Sequence, residues 1–187
     1  GTYCTTTKRV IKVSEQELAD EIAACPEAIE LGQGEDRVTM AHRDVEGSQE
    51  PIVIAGVQTA PFSNEEMMFK IYKGCALDRC VDGIWGGILL KIDNTYEVVA
   101  GAPSEIYQYR KTVEIMRRAV AAAGRPGMIT INNAPSCTAT IGMFDEDAGL
   151  RRSDYMESTG MSELKVAYDD LNRSAFALAH GVSIHGT

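Results

Sequence analysis

The sequence has no apolar stretch long enough to cross a bilayer. Its longest, Ile84 to Leu90, falls well short of the roughly 20 residues that a spanning helix needs, so no membrane partner is expected. It has no CxxC pair. The five cysteines stand at positions 4, 25, 75, 80 and 137, and only Cys75 and Cys80 are near one another. That spacing argues against a zinc site and for free thiols in a reducing cytoplasm, and no metal ligand set is expected. An excess of basic residues is also missing. With a net charge of -9, the chain is a poor match for a phosphate backbone, which argues against nucleic acid as a partner. The N-terminus, Gly1-Thr2-Tyr3-Cys4, has neither a basic start nor an apolar core segment, so it does not read as a secretory signal. It also lacks an initiator methionine, and residues upstream are expected. Gly86-Gly87 lacks the surrounding pattern of a nucleotide-binding loop.

What is present is a chain of 187 residues with 44% apolar composition, enough for one sizeable core. Tyr3 to Val13 is rich in Thr, Val and Ile and reads as extended. Ser14 to Glu17 is a capping box, with Val13 and Leu18 as its hydrophobic staple, opening a helix that Pro26 ends after Cys25. Arg37 to Asp44 reads as a short strand, and Glu46 to Pro51 as a boundary loop. Pro51 to Gly56 is a continuous apolar run, the pattern of a strand buried on both faces. Ser63 to Glu66 is a second capping box, with Phe62 and Met67 as staple, for a helix reaching Arg79. Val81 to Gly87 is the next buried run, followed by a polar segment from Lys91 to Gly101.

Pro103 opens the longest helix, with Ile106, Val113, Met116 and Val120 as its buried stripe. Gly124 sits at its C′ position and Pro126 blocks continuation. Met128 to Asn133 is a third strand and Cys137 to Arg152 a helix; Tyr155 to Lys165 is ambiguous, since Met161 to Lys165 suits a helix while the strand–helix rhythm asks for a fourth strand. Asp169 to Ala179 is an amphipathic helix closed by Gly181, and Val182 to His185 begins a fifth strand. Strands alternating with helices imply right-handed βαβ units and a parallel sheet.

The segment Ala121-Ala122-Ala123-Gly124-Arg125-Pro126-Gly127-Met128 resembles a signature of the monomethylamine corrinoid methyltransferases. Further islands match in order: Tyr3-Cys4-Thr5 with Arg9 to Lys12, Pro51 to Val53 through Ser63 to Glu66, and Glu163-Leu164-Lys165 with Asp169 or Asp170. The resemblance implies an α/β fold: a parallel (β/α) TIM-type barrel, here about its first half. Residues 1–50 would form a small α+β N-terminal extension, and residues 51–187 the first four βα units and the start of a fifth strand. A complete barrel needs at least about 200 residues, so the chain is expected to be an inactive excerpt of a longer enzyme. Open strand edges make a homo-oligomer the other expected outcome.

The resemblance further implies a cytoplasmic enzyme that moves a methyl group from an N-methylated amine to the cobalt of a corrinoid (cobalamin) carried by a partner protein. That family places pyrrolysine, whose imine holds the amine, at the end of its third strand. This chain has an ordinary side chain there. Counting back from Pro135 puts Asn133 at that position, and counting on from Met128 puts Ile131 there. A quaternary amine, already cationic, would need no covalent adduct. A non-catalytic module that binds a methylated amine or a corrinoid protein is the alternative.

Catalytic groups of a parallel barrel lie at the C-terminal ends of its strands. That rule nominates Asn133, Glu163 and Lys165 as catalytic, and Gln58, Thr59, Trp85, Asn132 and His185 as substrate-binding. Each has a plainer reading. Asn133 suits an Asx turn into Ala134-Pro135, Glu163 and Lys165 a solvated pair, and Trp85, the only tryptophan, core packing. Trp85 could instead box a methylammonium by cation–π attraction. His180 reads as a helix-end residue, His42 as surface, and Met67, Met68, Met116 and Met143 as core.

Overall fold

The computed structural model of the chain describes residues 2–56, 61–133, 135–144, 149–158 and 166–186. The extended N-terminal stretch is a hairpin: β1 (Thr2–Cys4) pairs antiparallel with β2 (Arg9–Ile11), and Lys8 turns the chain with φ 57°. The first capping box forms as read. At the start of α1 (Glu15–Ala24), the Ser14 hydroxyl accepts from the Glu17 N–H at 3.1 Å, and the Glu17 carboxylate accepts from the Ser14 N–H at 2.7 Å. The staple does not form a buried contact. Val13 and Leu18 are both more than half exposed, and α1 buries none of its residues.

Next comes a hairpin of which the sequence reading caught only the second strand. β3 (Ala28–Leu31) pairs antiparallel with β4 (Val38–Ala41) across a single 3-10 turn at Gly34–Asp36. Leu31 is fully buried against Ile129, Ile131 and Tyr155, and Ile29, Val38 and Met40 pack around it. Polar ties fix the docking. The Arg125 guanidinium donates to Asp36 at 2.8 Å, Asp36 accepts from the Gly127 N–H at 3.0 Å, and the Gln33 N–H donates to the Gly127 carbonyl at 2.9 Å. A Cβ on Gly127 would overlap the Gln33 carbonyl oxygen, so this close approach requires glycine. The Gly-Arg-Pro-Gly-Met signature is therefore a scaffold element. Arg125 clamps the hairpin and the carbonyls of Asp78 and Val81, Gly127 admits the Gln33 backbone, and Met128 is core.

The remaining elements build an α/β layer. In chain order they are β5 (Ile54–Gly56), β6 (Pro61–Phe62), α2 (Glu65–Leu77), β7 (Gly83–Trp85), β8 (Ile88–Leu89), β9 (Lys91–Ile92), β10 (Tyr96–Glu97), α3 (Pro103–Ala122), β11 (Ile129–Asn133), α4 (Cys137–Met143), β12 (Tyr155–Ser158), α5 (Tyr168–Ala179) and β13 (Ser183–Gly186). Five strands form a parallel sheet in the order β13-β12-β11-β7-β5. β5 is shorter than the apolar run that announced it and is only half-buried, because it is an edge strand paired on the β7 side alone.

The second capping box is displaced by one residue. Asn64 caps α2, accepting from the Met67 N–H at 3.0 Å. That shift turns Met68 into the core and leaves Met67 exposed, so the Phe62–Met67 staple is absent and Met67 is not a core residue. The helix ends at Leu77 rather than Arg79, because Asp78 is extended. The polar segment after β8 holds the small β9–β10 hairpin, turned by Asp93 and Asn94 at φ 51° and 57°.

α3 starts at Pro103 as read and ends in a Schellman motif. The Arg125 N–H donates to the Val120 carbonyl, the Gly124 N–H to the Ala121 carbonyl, and Gly124 has φ 78°. Of its expected stripe, Val113, Met116 and Val120 are buried and Ile106 is half-buried. The helix read from Cys137 to Arg152 is much shorter: α4 ends at Met143. The Leu150 N–H then donates to the Met143 carbonyl, and residues 151–153 turn into β12. α5 closes in a second Schellman motif at Gly181.

Two clusters fill the space between sheet and helices. One joins Met68, Tyr72, Ile84, Met116 and Val120, and the other Tyr109, Val113, Met143, Met156 and Ala177. The third cluster, under the β3–β4 hairpin, lies on the other face of the sheet. At its base Asp154, fully buried, accepts from the Thr130 N–H at 2.9 Å, the Arg151 N–H at 2.8 Å and the Arg151 guanidinium at 3.0 Å and 3.1 Å. Arg117 approaches the same carboxylate at 3.8 Å. Burial lowers the pKa of its guanidinium, and Asp154 opposes that shift.

Candidate functional site

Alternation along parallel strands decides which side chains share a face. Ile84 and Met156 point into the helix-side clusters, whereas Trp85, Ile131 and Tyr155 belong to the opposite face. The β3–β4 hairpin covers the N-terminal part of that opposite face. Two residues further along each strand, at the C-terminal ends, come Asn133 and Glu157. Cross-strand register sets Asn133 beside Glu157 and Glu157 beside His185. One step toward the base, Trp85 lies beside Ile131. Asn133 and Glu157 thus form the layer above the apolar plug, at the strand ends where parallel α/β folds place their ligands, and Trp85 borders that layer from one step below.

The layer is partly desolvated. Glu157 is only 2% exposed, while Trp85 and Asn133 are half-buried. The Tyr155 hydroxyl, one layer below, has its pKa pushed up to about 12, first by burial and then by the Glu157 carboxylate. The Trp85 indole N–H is buried and finds no acceptor among the described residues. The strand end that carries it is held firmly. The Gly86 N–H donates to the Ile131 carbonyl at 2.8 Å, and the Gly87 N–H donates to the Tyr72 hydroxyl. Tyr72 is fully buried, and burial raises its pKa. A carboxylate, an amide and an aromatic face around one half-enclosed layer suit a small organic cation that also carries N–H groups.

Of the residues nominated from sequence, Asn133 falls in this layer and Trp85 borders it from below. The His185 backbone lies in register with Glu157, and its side chain is outside the described residues. Gln58, Thr59, Glu163 and Lys165 also lie outside them. Asn132 is on the other face, because neighbours in a strand alternate. It is 1% exposed, and a Cβ on Gly86 would stand 2.9 Å from both its Oδ1 and the Met116 Sδ, which places it on the α3 side. The Asn132 side chain therefore lies on the face opposite the Asn133–Glu157 layer.

Glu157 was missed. The sequence reading went past it to the charged pair seven residues beyond the middle of the strand, whereas the period-two signal from Tyr155 already placed Glu157 on one face with it. His180 is bound into structure, its Nδ1 2.8 Å from the Phe176 carbonyl oxygen and its ring 4.3 Å from that of Phe176. His42 lies at the surface near Asp44. All five cysteines are unpaired, and no group of three or more His, Cys, Asp or Glu among the described residues is arranged to hold a metal ion. No helix among them is long and apolar enough to cross a membrane.

Comparison with known proteins agrees with this fold. The family model for monomethylamine methyltransferase MtmB matches residues 1–185. Monomethylamine methyltransferase MtmB of Methanosarcina mazei is 33% identical over 171 residues, covering 90% of this chain and 37% of the relative. MtmB2 of Methanosarcina acetivorans is 31% identical over 170 residues with the same coverage. The crystal structure of Methanosarcina barkeri MtmB superposes with a TM-score of 0.88 at 28% identity, covering 100% of this chain and 40% of that one, and the hydroxylamine MtmB complex does equally well. The chain thus spans 37% of the length of the curated relatives it matches. With the family match running almost from end to end, and the fold shared with a solved member, the chain belongs to the monomethylamine methyltransferase MtmB family.

Proposed function

We propose that this chain forms the first half of a β/α-barrel enzyme that moves a methyl group from an N-methylated amine to the cobalt of a corrinoid protein. Residues 51–187 supply the first barrel units. Residues 1–50 form an extension whose β3–β4 hairpin plugs the base of the barrel. The observation that carries the reading is the Asn133–Glu157 pair at the strand ends of an MtmB-family fold, with Trp85 bordering it from below.

The chemistry asks for transfer of a methyl group, without its bonding electrons, from nitrogen to reduced cobalt. The carbon–nitrogen bond breaks with its electron pair left on nitrogen, and a carbon–cobalt bond forms from the metal's pair. The corrinoid is the methyl acceptor and arrives on the partner. This chain's own task is to bind the amine, hold its methyl group toward the open end of the sheet and keep water away.

In this arrangement Glu157 pairs with the ammonium charge, and Trp85 offers its face to the methylated side of the cation. The Asn133 amide oxygen accepts from an N–H of the amine where it carries one. Ile131 is fully buried in the apolar plug, which favours Asn133 as the occupant of the position where the resemblance implies pyrrolysine. An amide forms no covalent adduct with an amine, so orientation here rests on charge and shape. Gln58, Thr59 and His185 stand as substrate-binding candidates, and Glu163 and Lys165 as catalytic candidates, on the strand-end rule alone.

The test is to incubate the full-length enzyme that carries this chain with a corrinoid protein reduced to cobalt(I), together with methylammonium, tetramethylammonium or glycine betaine, and to follow the absorbance of methyl-cobalt. Growth of that band with one of these amines is the expected result, and its absence with every amine removes the catalytic reading. The same substitution of an amide for the electrophile favours a second reading, a methylated-amine binder without turnover. Calorimetric binding of an amine with no methyl-cobalt band would select it.

A further inference from the structure

Asn132 is displaced from the candidate site, yet it is among the most constrained side chains on β11. β7 ends opposite Ile131, so past that point the ladder offers the Asn133 N–H no acceptor from β7. The Asn132 side chain supplies one: its Oδ1 accepts from the Asn133 N–H at 3.0 Å. The same oxygen is pressed on Gly86, the residue after Trp85, so closely that a Cβ there would come within 2.9 Å. Asn132 is 1% exposed, and its Nδ2 has no partner among the described residues. An asparagine held in an apolar helix-side layer with half its amide unpaired is unfavourable for folding, and an apolar side chain would suit that layer better. The contact that explains its presence is the one it makes to the two strand ends of the site.

We propose that Asn132 is a positioning residue: its amide oxygen locks the Asn133 peptide against the Trp85–Gly86 strand end and so sets the spacing between the Trp85 ring and Asn133. The inference rests on the reading of the Asn133–Glu157 layer, bordered by Trp85, as the amine site. Gly86 is its counterpart, lacking a side chain so that the oxygen can seat. A local misplacement of about 1 Å in such a layer is enough to weaken recognition on the order of tenfold or more.

Trp85 is the only tryptophan, so intrinsic fluorescence reports this strand end alone. The probe is methylammonium, titrated against Trp85 emission, with acrylamide quenching as the measure of ring exposure. Asn132→Leu keeps the size and removes the acceptor. It is expected to weaken the response about tenfold and raise quenching, with a cooperative melt retained. Asn132→Asp keeps an acceptor oxygen and is expected to stay within about threefold of the wild type. Gly86→Ala pushes the same oxygen away and should reproduce the leucine phenotype, and the double variant should be no worse than either single one, as expected for residues acting on one contact. If Asn132→Leu does not fold, Gly86→Ala and its double variant with Asn132→Asp carry the test. A wild-type response in both Asn132→Leu and Gly86→Ala, or a loss in Asn132→Asp equal to that in Asn132→Leu, overturns the positioning role and leaves the site reading intact. No response in the wild type overturns the site reading and this inference with it.

Discussion

Replacing Glu157 with glutamine changes one charge and almost no volume. The carboxylate is 2% exposed, sits in register between Asn133 and His185, and raises the pKa of the Tyr155 hydroxyl below it. Salt screens a buried charge less than an exposed one, so its attraction for an ammonium ion is expected to depend little on ionic strength. A hydrogen bond to a charged partner contributes about 1.5–3 kcal/mol, which corresponds to a loss of roughly 10- to 150-fold in affinity when the charge is removed. Glutamine keeps an acceptor oxygen, so the lower half of that range is the expected result. Titration of Trp85 fluorescence with methylammonium measures it, and circular dichroism checks that the fold is unchanged. A change of less than about threefold in a folded Glu157→Gln variant would refute the argument that this carboxylate receives the amine.

Three further outcomes are expected. Asp154→Ala removes the counter-charge of the Arg151 guanidinium, which keeps the Met128 and Pro126 carbonyls, and takes the acceptor from the Thr130 and Arg151 N–H groups. Urea unfolding should show a loss of about 3–5 kcal/mol at an unchanged m-value, and a loss under about 1 kcal/mol would contradict the buried-pair account. Gly142→Ala should cost about 1–3 kcal/mol, because the new Cβ would overlap the Ile106 carbonyl where α4 crosses α3, and a neutral melt would show that the helices can separate freely. Burial holds the pKa values of Tyr109 and Tyr155 up at about 12, and that of Tyr72 is raised as well. A raised folded-state pKa adds stability that is present below the unfolded value near 10 and is lost as pH rises toward 12, so the melting temperature should fall across that window. Tyr155→Phe should flatten part of that fall, and an equal slope in both proteins would exclude Tyr155 as a contributor.

The sequence by itself determined what depends on neighbours along the chain. The capping box at Ser14 and Glu17, the proline start and glycine stop of α3, the Gly181 stop of α5 and the alternation of strands with helices are all local, and all are present. The ordered islands around Gly-Arg-Pro-Gly-Met were enough to suggest the family. Tertiary structure decided the rest. The cap of α2 fell on Asn64 rather than Ser63, because Met68 had to reach the core and a one-residue shift turns a helix face by about 100°. The glycine of the signature is needed for a contact with Gln33, far away in sequence. Asn132 and Asn133 look equivalent in the sequence, and period two says only that they point opposite ways. Which of them faces the open layer follows from where α3 and the β3–β4 hairpin pack, and Glu157 joins the site because parallel register, set by pairing between distant strands, puts it beside Asn133.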